Sequence, residues 1–270
     1  MIEIIGYIFA VIMGLVLGLI GGGGSILTVP ILVYLFGVSP VTSTSYSLII
    51  VGVTSLAGVA VYVKSKNISY STGIYFAIPA LITVYITRRY ILPAIPDEIF
   101  SLESFILTKD VFIMVLFASL MVFSSFGMIK NKKFNFNSHA DTPGKRIFLI
   151  ASEGIIVGIL TGLVGAGGGF LIIPALVLFA DLPMKLAVGT SLFIISIKSL
   201  IGFAGDIGAD VHIDWMFLMI FTSISIAGMI LGTVFAKNIN SKILKPVFGW
   251  FVLVTGTFII LQNIFNIGAK

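Results

Sequence analysis

The sequence predicts an all-α polytopic membrane protein made of two repeats, and three observations lead to this fold class. Hydrophobic residues make up 58% of the 270 positions and charged residues only 10%, whereas soluble domains carry about 25% charged residues. The chain divides into apolar stretches separated by short polar breaks. A glycine-rich stretch at 14–30 also returns at 158–174. Lipid must therefore cover most of the surface, and the fold contains an internal duplication.

The apolar stretches place the helices along the chain. A membrane span needs about 20 residues, and most stretches meet this requirement. Two of them, 25–36 and 169–180, are too short to span and occupy equivalent places in the two copies. We expect about eight transmembrane helices, three to four in each repeat beside a glycine-broken, re-entrant or discontinuous helix. The longer stretches lie at 3–20, 41–63, 70–87, 111–129, 147–164, 186–205, 213–236 and 243–267.

The repeat extends well beyond the glycines. Between 14–58 and 158–202, sixteen of 45 aligned positions are identical, including five glycines that precede a shared proline. The longest basic break separates the copies, and the first copy carries an extra loop around 93–108. We predict a single transmembrane domain over 1–270, with repeat 1 at 1–130, a basic linker at 131–145 and repeat 2 at 146–270.

The basic residues distinguish two topologies through the positive-inside rule. If each glycine-broken segment crosses the membrane once, the two sides carry eight and seven loop cations. If the chain turns back at the glycines, the two sides carry eleven and four. The second arrangement satisfies the rule. It predicts inverted repeats, a multi-pass protein of the cell membrane with both termini outside, and a cytoplasmic linker.

The two glycine clusters are the predicted substrate site. A run of glycines does not hold a regular helix, because each glycine costs about 1 kcal/mol relative to alanine in a helix interior. The helix restarts near Ser25 and near Gly169, which leaves N–H groups and the positive end of the helix dipole inside the membrane. Anions bind such helix starts. We predict a small anion between Gly21, Gly22, Gly23, Gly24 and Ser25 on one side and Gly165, Gly167, Gly168 and Gly169 on the other.

Close helix packing is the alternative role for glycines in this chain. Gly14 and Gly18, and likewise Gly154, Gly158 and Gly162, have the four-residue spacing that lets helices approach each other in lipid. We expect the packing role for these more N-terminal glycines. A nucleotide-binding loop is excluded, because the second cluster lacks a preceding soluble strand and a following acidic residue.

Lys198 is a basic residue deep inside the apolar stretch 186–205. Charges at membrane depth are rare and face a cavity or a partner. Two roles are open to Lys198: it complements an anionic substrate, or it pairs with Glu153. Glu153 itself lies near the start of its helix, so it can also reach the interface by snorkelling.

Hydroxyl groups open the helix that follows each short segment. They belong to Ser45 and Ser47 in the first copy and to Thr190 and Ser191 in the second. Such hydroxyls either donate hydrogen bonds to an anion or cap and pack helices. We include them in the predicted substrate site.

Composition also narrows the classes of partner and cofactor. There is no cysteine, which excludes disulfides and thiol chemistry. The cluster of Asp206, Asp210, His212 and Asp214 is interpreted as a solvated acidic loop, so we expect no metal or other cofactor. The net charge of +5 resides in short loops between apolar stretches, which fits an anionic membrane surface and not nucleic acid. The expected partners are the bilayer, a small anion and a coupling proton or sodium ion.

Four motifs together are similar to those of a known family: Gly-Leu-x-Gly-Gly-Gly-Gly…Pro at 18–30, Gly-Leu-Val-Gly-Ala-Gly-Gly-Gly…Pro at 162–174, Ala187-Val-Gly-Thr-Ser191 and His212-Ile-Asp-Trp215. With these motifs, the chain resembles the sulfite exporter TauE/SafE family of membrane transporters. The resemblance covers almost the whole chain. It implies gradient-driven export or uptake of small, often sulfur-containing anions, with the glycine turns, Thr190 and Ser191 as the site. Lys198 stands where the family leads us to expect a small or neutral polar residue.

The sequence therefore predicts a secondary anion transporter that works by alternating access and is not an enzyme. A passive anion channel would share the same site but would show no saturation and no coupling to a gradient. A membrane enzyme is disfavoured, because no cluster of His, Asp and Glu lies at membrane depth in the sequence. A scaffold protein would tolerate alanine at Gly23 and Gly167.

Overall fold

The structure, a computed structural model, describes residues 2–102, 105–129, 143–178, 180, 182–207, 213–236 and 241–268. It is almost entirely helical. The helices are α1 (Ile2–Ile20), α2 (Ser25–Phe36), α3 (Pro40–Lys64), α4 (Tyr70–Ile86), α5 (Leu92–Ala94), α6 (Lys109–Ile129), α7 (Pro143–Val164), α8 (Gly169–Leu178), α9 (Met184–Asp206), α10 (Trp215–Phe235) and α11 (Ser241–Gly268).

Long apolar helices confirm the predicted all-α polytopic membrane class. In the described part of the chain, seven helices are long and apolar enough to cross a membrane. The two short helices are α2, with 12 residues, and α8, with 10 residues. Both lie in the interior, because the residues of the glycine segments and most of α2 and α8 are buried.

The chain reverses direction between α1 and α2. A Cβ atom built on Gly24, just before α2, would collide with backbone atoms of Met13 and Leu17 in α1. At the far end of α2, the ring of Phe36 packs edge-on against Tyr7, with 5.3 Å between the ring centroids. The end of α2 therefore lies beside the first turns of α1. The two helices form an antiparallel hairpin that bends at the glycines.

The helices α3 and α9 occupy equivalent places in the two copies and run antiparallel. Leu48, near the start of α3, lies against Gly202, near the end of α9. Gly58, further along α3, lies against Leu192, nearer the start of α9. As the residue number increases along α3, the number of the contacting residue in α9 decreases, so the two helices run in opposite directions.

Glycines in α1 and α7 permit close parallel contacts with α10 and α4. A Cβ atom on any of them would collide with the partner helix, as the four-residue spacing predicts. In each pair, the residue numbers of the contacting positions increase together along the two helices, so the helices run parallel. The contacts are Gly14 with Ser225, Gly18 with Thr233, Gly154 with Phe76 and Gly162 with Thr87.

Two further parallel pairs relate the directions of α3, α4, α9 and α10. The helix α3 lies parallel to α10, and α4 lies parallel to α9. It follows that α1, α3 and α10 run one way while α4, α7 and α9 run the other. The contacts are Tyr46 with Phe217, Gly58 with Met229, Gly73 with Phe193 and Gly205 with Tyr85.

The segment after α4 differs from its sequence prediction. Thr87–Ile91 is π-helical, and the extra loop expected around 93–108 contains an antiparallel pair of strands, β1 (Glu98–Leu102) and β2 (Phe105–Thr108). Aromatic and aliphatic residues in this loop favour extended backbone. Most of the predicted linker, 131–145, lies outside the described residues, and α7 begins within it at Pro143.

Candidate functional site

The two glycine segments adopt tight turns that only glycine accommodates easily. Gly21 and Gly165, the last residues before each turn, have φ angles of 76° and 71°, and Gly167 and Gly168 have 64° and 71°. A side chain at positive φ costs about 1–2 kcal/mol. The helix therefore breaks at the positions that the sequence predicts and restarts at Ser25 and Gly169.

The two turns contact each other in the interior. A Cβ atom built on Gly22 would lie 2.6 Å from Cα of Gly169, and one built on Gly167 would lie 3.4 Å from Cβ of Ser25. The backbones approach this closely because no side chains separate them. The start of α2 and the start of α8 are thus brought together, although they are more than 140 residues apart in the chain.

Backbone donors in both turns lack partners. Among the described residues, no acceptor is in hydrogen-bonding position for the N–H groups of Gly22, Gly23 and Gly24, or for those of Ala166, Gly167 and Gly168. The N–H groups just before the turns are satisfied, since Gly21 and Gly165 donate to carbonyls of the preceding helices at 2.7 and 2.8 Å. Unpaired N–H groups at two adjoining helix starts favour a negatively charged ligand.

Lys198 reaches the second glycine turn from α9. Its Nζ donates to Oγ1 of Thr161 at 2.7 Å, and a Cβ atom built on Gly168 would lie 2.8 Å from the same Nζ. The residue is 0% exposed. An ammonium group has three protons to donate, and only one of them has an acceptor among the described residues. Thr161, which the sequence analysis did not select, is its contact.

Pairing between Lys198 and Glu153 is not observed. The Lys198 ammonium bonds to Thr161, which lies eight residues further along α7 than Glu153, or about 12 Å of helix. The one ion pair within the described residues joins Arg88 and Asp206. The positive charge of Lys198 is thus not balanced by any carboxylate of the described chain.

Two of the predicted hydroxyls, those of Ser191 and Ser25, bind backbone carbonyls of the first glycine turn. Ser191 Oγ donates to the carbonyl of Gly21 and lies 2.8 Å from that of Val188. Ser25 Oγ donates to the carbonyl of Gly22 at 2.7 Å. These bonds tie the first glycine turn to α9 and to the start of α2.

The other predicted hydroxyls differ in their partners. Thr190 Oγ1 accepts from the N–H of Ser69 at 2.9 Å and donates to the carbonyl of Leu186. Ser45 Oγ accepts from Arg88. Ser47 is buried, and its hydroxyl has no partner among the described residues.

A buried arginine is the main feature that the sequence analysis missed. The positive-inside count treats Arg88 as one of the four cations of the outer side, and the sequence predicts Asp206 in a solvated loop. Both residues are buried, and Arg88 is only 1% exposed. Arg88 donates from Nη2 to Asp206 at 2.6 Å and to Ser45 at 2.8 Å, and from Nη1 to Thr44 at 2.9 Å and to the carbonyl of Gly162 at 3.2 Å. One sequence signal could have revealed this pair: Arg88 directly follows the apolar stretch 70–87, and Asp206 directly follows the apolar stretch 186–205.

The remaining acidic cluster does not form a metal site in the described part of the chain, where no three His, Asp or Glu residues come together. Asp206 is engaged by Arg88. Asp214 caps α10, accepting from the N–H of Phe217 at 3.0 Å. Asp210 and His212 lie outside the described residues.

Comparison with known proteins gives a consistent result. Residues 7–259 match the family described as sulfite exporter TauE/SafE. The chain is 28% identical over 282 aligned residues to "Probable membrane transporter protein YunE" of Bacillus subtilis (strain 168), covering 96% of this chain and 99% of the relative. It is 27% identical over 256 residues to a "Probable membrane transporter protein" of Xylella fastidiosa (strain Temecula1), covering 93% and 92%. No solved structure gives a significant match.

Proposed function

Because the chain belongs to the sulfite exporter TauE/SafE family of membrane transporters, we propose that it is a secondary transporter that moves small anions across the cell membrane by alternating access. The proposed substrates are sulfur-containing or organic anions. The proposed binding site lies between the two glycine turns and includes Lys198.

One observation carries the anion proposal: a fully buried lysine ends at a glycine turn without a carboxylate partner among the described residues. Burial of an unpaired charge is unfavourable by many kcal/mol in a medium of low polarity. An anionic ligand at the turn would supply both the missing countercharge and an acceptor for the unpaired backbone N–H groups. The positive ends of the α2 and α8 dipoles add to the same potential.

Helix direction supports inverted repeats. The equivalent helices α1 and α7, α3 and α9, and α4 and α10 run in opposite directions, and the α1–α2 hairpin returns the chain to the side from which it entered. An inverted pair places both glycine turns near the middle of the membrane, as in other transporters with broken helices. We infer that both termini lie outside and that movement of one repeat against the other exposes the site alternately.

Transport in liposomes tests this proposal. The purified protein is reconstituted, and uptake of sulfite, sulfate, thiosulfate, sulfoacetate and small carboxylates is followed with and without an imposed proton or sodium gradient. We expect saturable uptake of at least one anion that the gradient accelerates. Lys198→Met should reduce the affinity at least tenfold, because it removes the charge while keeping an unbranched apolar stem. The matched control is Lys185→Met, since Lys185 is a lysine near the start of the same helix.

The same assay separates the alternatives. Uptake that neither saturates nor responds to a gradient identifies a passive channel. No binding or movement of any anion would contradict the anion proposal. An unchanged affinity in Lys198→Met would remove Lys198 from the site.

A further inference from the structure

Among the buried hydroxyl groups that have no hydrogen-bond partner in the described chain, three lie on the faces of α3 and α9 that meet the second glycine turn. They belong to Thr54 and Ser55 of α3 and to Ser199 of α9, and all three residues are 0% exposed. A helical Ser or Thr usually donates to the carbonyl three or four residues earlier, as Thr161 and Ser196 do. These three hydroxyls do not make even that local bond, and no other described residue binds them, so they are free to bind a ligand.

The hydroxyls of α3 share a helix face with a residue that contacts the second glycine turn. A Cβ atom built on Gly167 would lie 2.6 Å from Cγ1 of Val51. Thr54 and Ser55 follow Val51 by three and four positions, which places them on the same face of α3.

The helix α9 repeats this arrangement from the opposite side. Ile195 lies 3.5 Å from the same Cβ position on Gly167. Lys198 and Ser199 follow Ile195 by three and four positions and therefore share its face of α9. Ser199 is the repeat counterpart of Ser55, and Lys198 is the counterpart of Thr54.

These groups also lie at one depth in the structure. The antiparallel helices α3 and α9 approach closely where Gly52 meets Leu200, with a Cβ on Gly52 lying 3.3 Å from the backbone nitrogen of Leu200. Thr54 follows Gly52 by two positions, and Lys198 precedes Leu200 by two positions. Because α3 and α9 are antiparallel, Thr54 and Lys198 lie at the same level. With a rise of about 1.5 Å per residue, the hydroxyls and the ammonium group originate within about one helical turn of the same level.

We propose that Thr54, Ser55 and Ser199 bind the transported anion, donating their hydroxyl protons to oxygen atoms of the anion whose charge Lys198 balances. This inference rests on the proposed anion site and adds its selectivity. Hydroxyl groups on two helices, together with an ammonium group, are directional donors that match several oxygen acceptors on one ligand. The site is therefore selective for oxyanions over halides. The charge comes from one repeat only, since Thr54 occupies the lysine position of the other.

Calorimetric titration of the purified full-length protein with sulfite and with bromide tests the proposal. The variants are Thr54→Val, Ser55→Ala and Ser199→Ala. We expect each to weaken sulfite binding by about tenfold or more, because a hydrogen bond to a charged group is lost, and to leave bromide affinity within about twofold. The unfolding temperature of the anion-free protein should not fall, since no protein partner is lost.

The matched control is Thr87→Val. The Thr87 hydroxyl is also buried and without a partner among the described residues, but Thr87 lies in the π-helical segment and packs against Gly162 of α7, not on the faces of α3 and α9 that meet Gly167. The Thr87→Val substitution should leave sulfite affinity unchanged. If the three site variants also bind sulfite as the wild type does while Lys198→Met does not, water satisfies these hydroxyls and the inference is wrong, although the transport proposal stands. If the wild type binds no anion, the transport proposal itself fails.

Discussion

Two buried cations, Arg88 and Lys198, have opposite surroundings. The guanidinium of Arg88 is paired with Asp206 and held by hydroxyl and carbonyl oxygens of α3 and α7. The ammonium of Lys198 has one hydroxyl partner and no countercharge among the described residues. Arg88 is therefore satisfied by the fold and joins elements of both repeats, whereas Lys198 has bonding capacity left for a ligand.

Breaking the Arg88–Asp206 pair should destabilise the protein. Removing one partner of a buried ion pair leaves an uncompensated charge and costs about 3–5 kcal/mol. We expect Arg88→Met and Asp206→Asn each to lower the unfolding temperature in detergent, measured by light scattering or intrinsic fluorescence. The double variant Arg88→Met/Asp206→Leu should recover most of the loss, because neither charge remains. Single variants that unfold at the wild-type temperature would show that the pair contributes little.

The sequence revealed Lys198 but not Arg88, and the reason is physical. Lys198 lies in the middle of an apolar stretch, so its burial follows from its position alone. Arg88 lies near the end of a stretch, where an arginine can equally reach water. Only the packing of the π-helical segment after α4 against the end of α9, which puts Asp206 beside Arg88, decides whether Arg88 is buried.

At the scale of elements, the glycine turns combine two separate requirements. Gly165 has a φ of 71° and its Cβ position falls on backbone atoms of Thr44. Gly37, which ends α2, has a φ of 67° but no atom within 4 Å of its Cβ position. The turns of the site therefore need glycine for conformation and for close approach, whereas the end of α2 needs it for conformation alone.

Alanine substitution can separate these requirements. Gly37→Ala should cost about 1–2 kcal/mol of folding free energy, which is the penalty for positive φ. Gly165→Ala should cost clearly more and should reduce anion uptake, because Thr44 and the turn must also move apart. Chemical unfolding monitored by tryptophan fluorescence compares the two. Equal losses would show that the contact with Thr44 yields easily and that close approach is not required.

Helix positions were predicted well, whereas the strands were not. Lipid-exposed helices carry long apolar stretches, and the breaks between them are polar or glycine-rich, so composition alone locates the helices. The strands β1 and β2 are short and follow a helix containing Pro79 and a π-helical segment. Their pairing sets Glu98 opposite Thr108, and hydropathy does not relate positions across such a pair.

At the scale of the whole molecule, helix direction supports the inverted arrangement. The positive-inside count and the antiparallel course of equivalent helices are independent observations, since one concerns loop charges and the other concerns interior packing. The buried position of Arg88 removes one cation from the side proposed to be outside. The charge asymmetry between the two sides is then larger than the sequence alone indicated.

Single-cysteine labelling tests the orientation. The sequence has no native cysteine, so the introduced cysteine is the one thiol that can react. Ser65→Cys, between α3 and α4, should react with a membrane-impermeant maleimide only after the cells are permeabilised. Asp97→Cys, between α5 and β1, should react in intact cells. Both residues are exposed, so each serves as the reactivity control for the other. The opposite pattern of labelling would reverse the proposed orientation.

The sequence by itself determined the membrane class, the helix positions, the duplication, the glycine breaks and the presence of a lysine at membrane depth. These are local properties, because hydropathy and glycine content act through the few residues around each position. Tertiary structure decided the relative directions of α1, α3, α4, α7, α9 and α10, the contact between the two glycine turns, the burial of Arg88 with Asp206 and the choice of Thr161 as the partner of Lys198. Each of these depends on which distant segments pack together, and that is set by the close fit of small residues between helices.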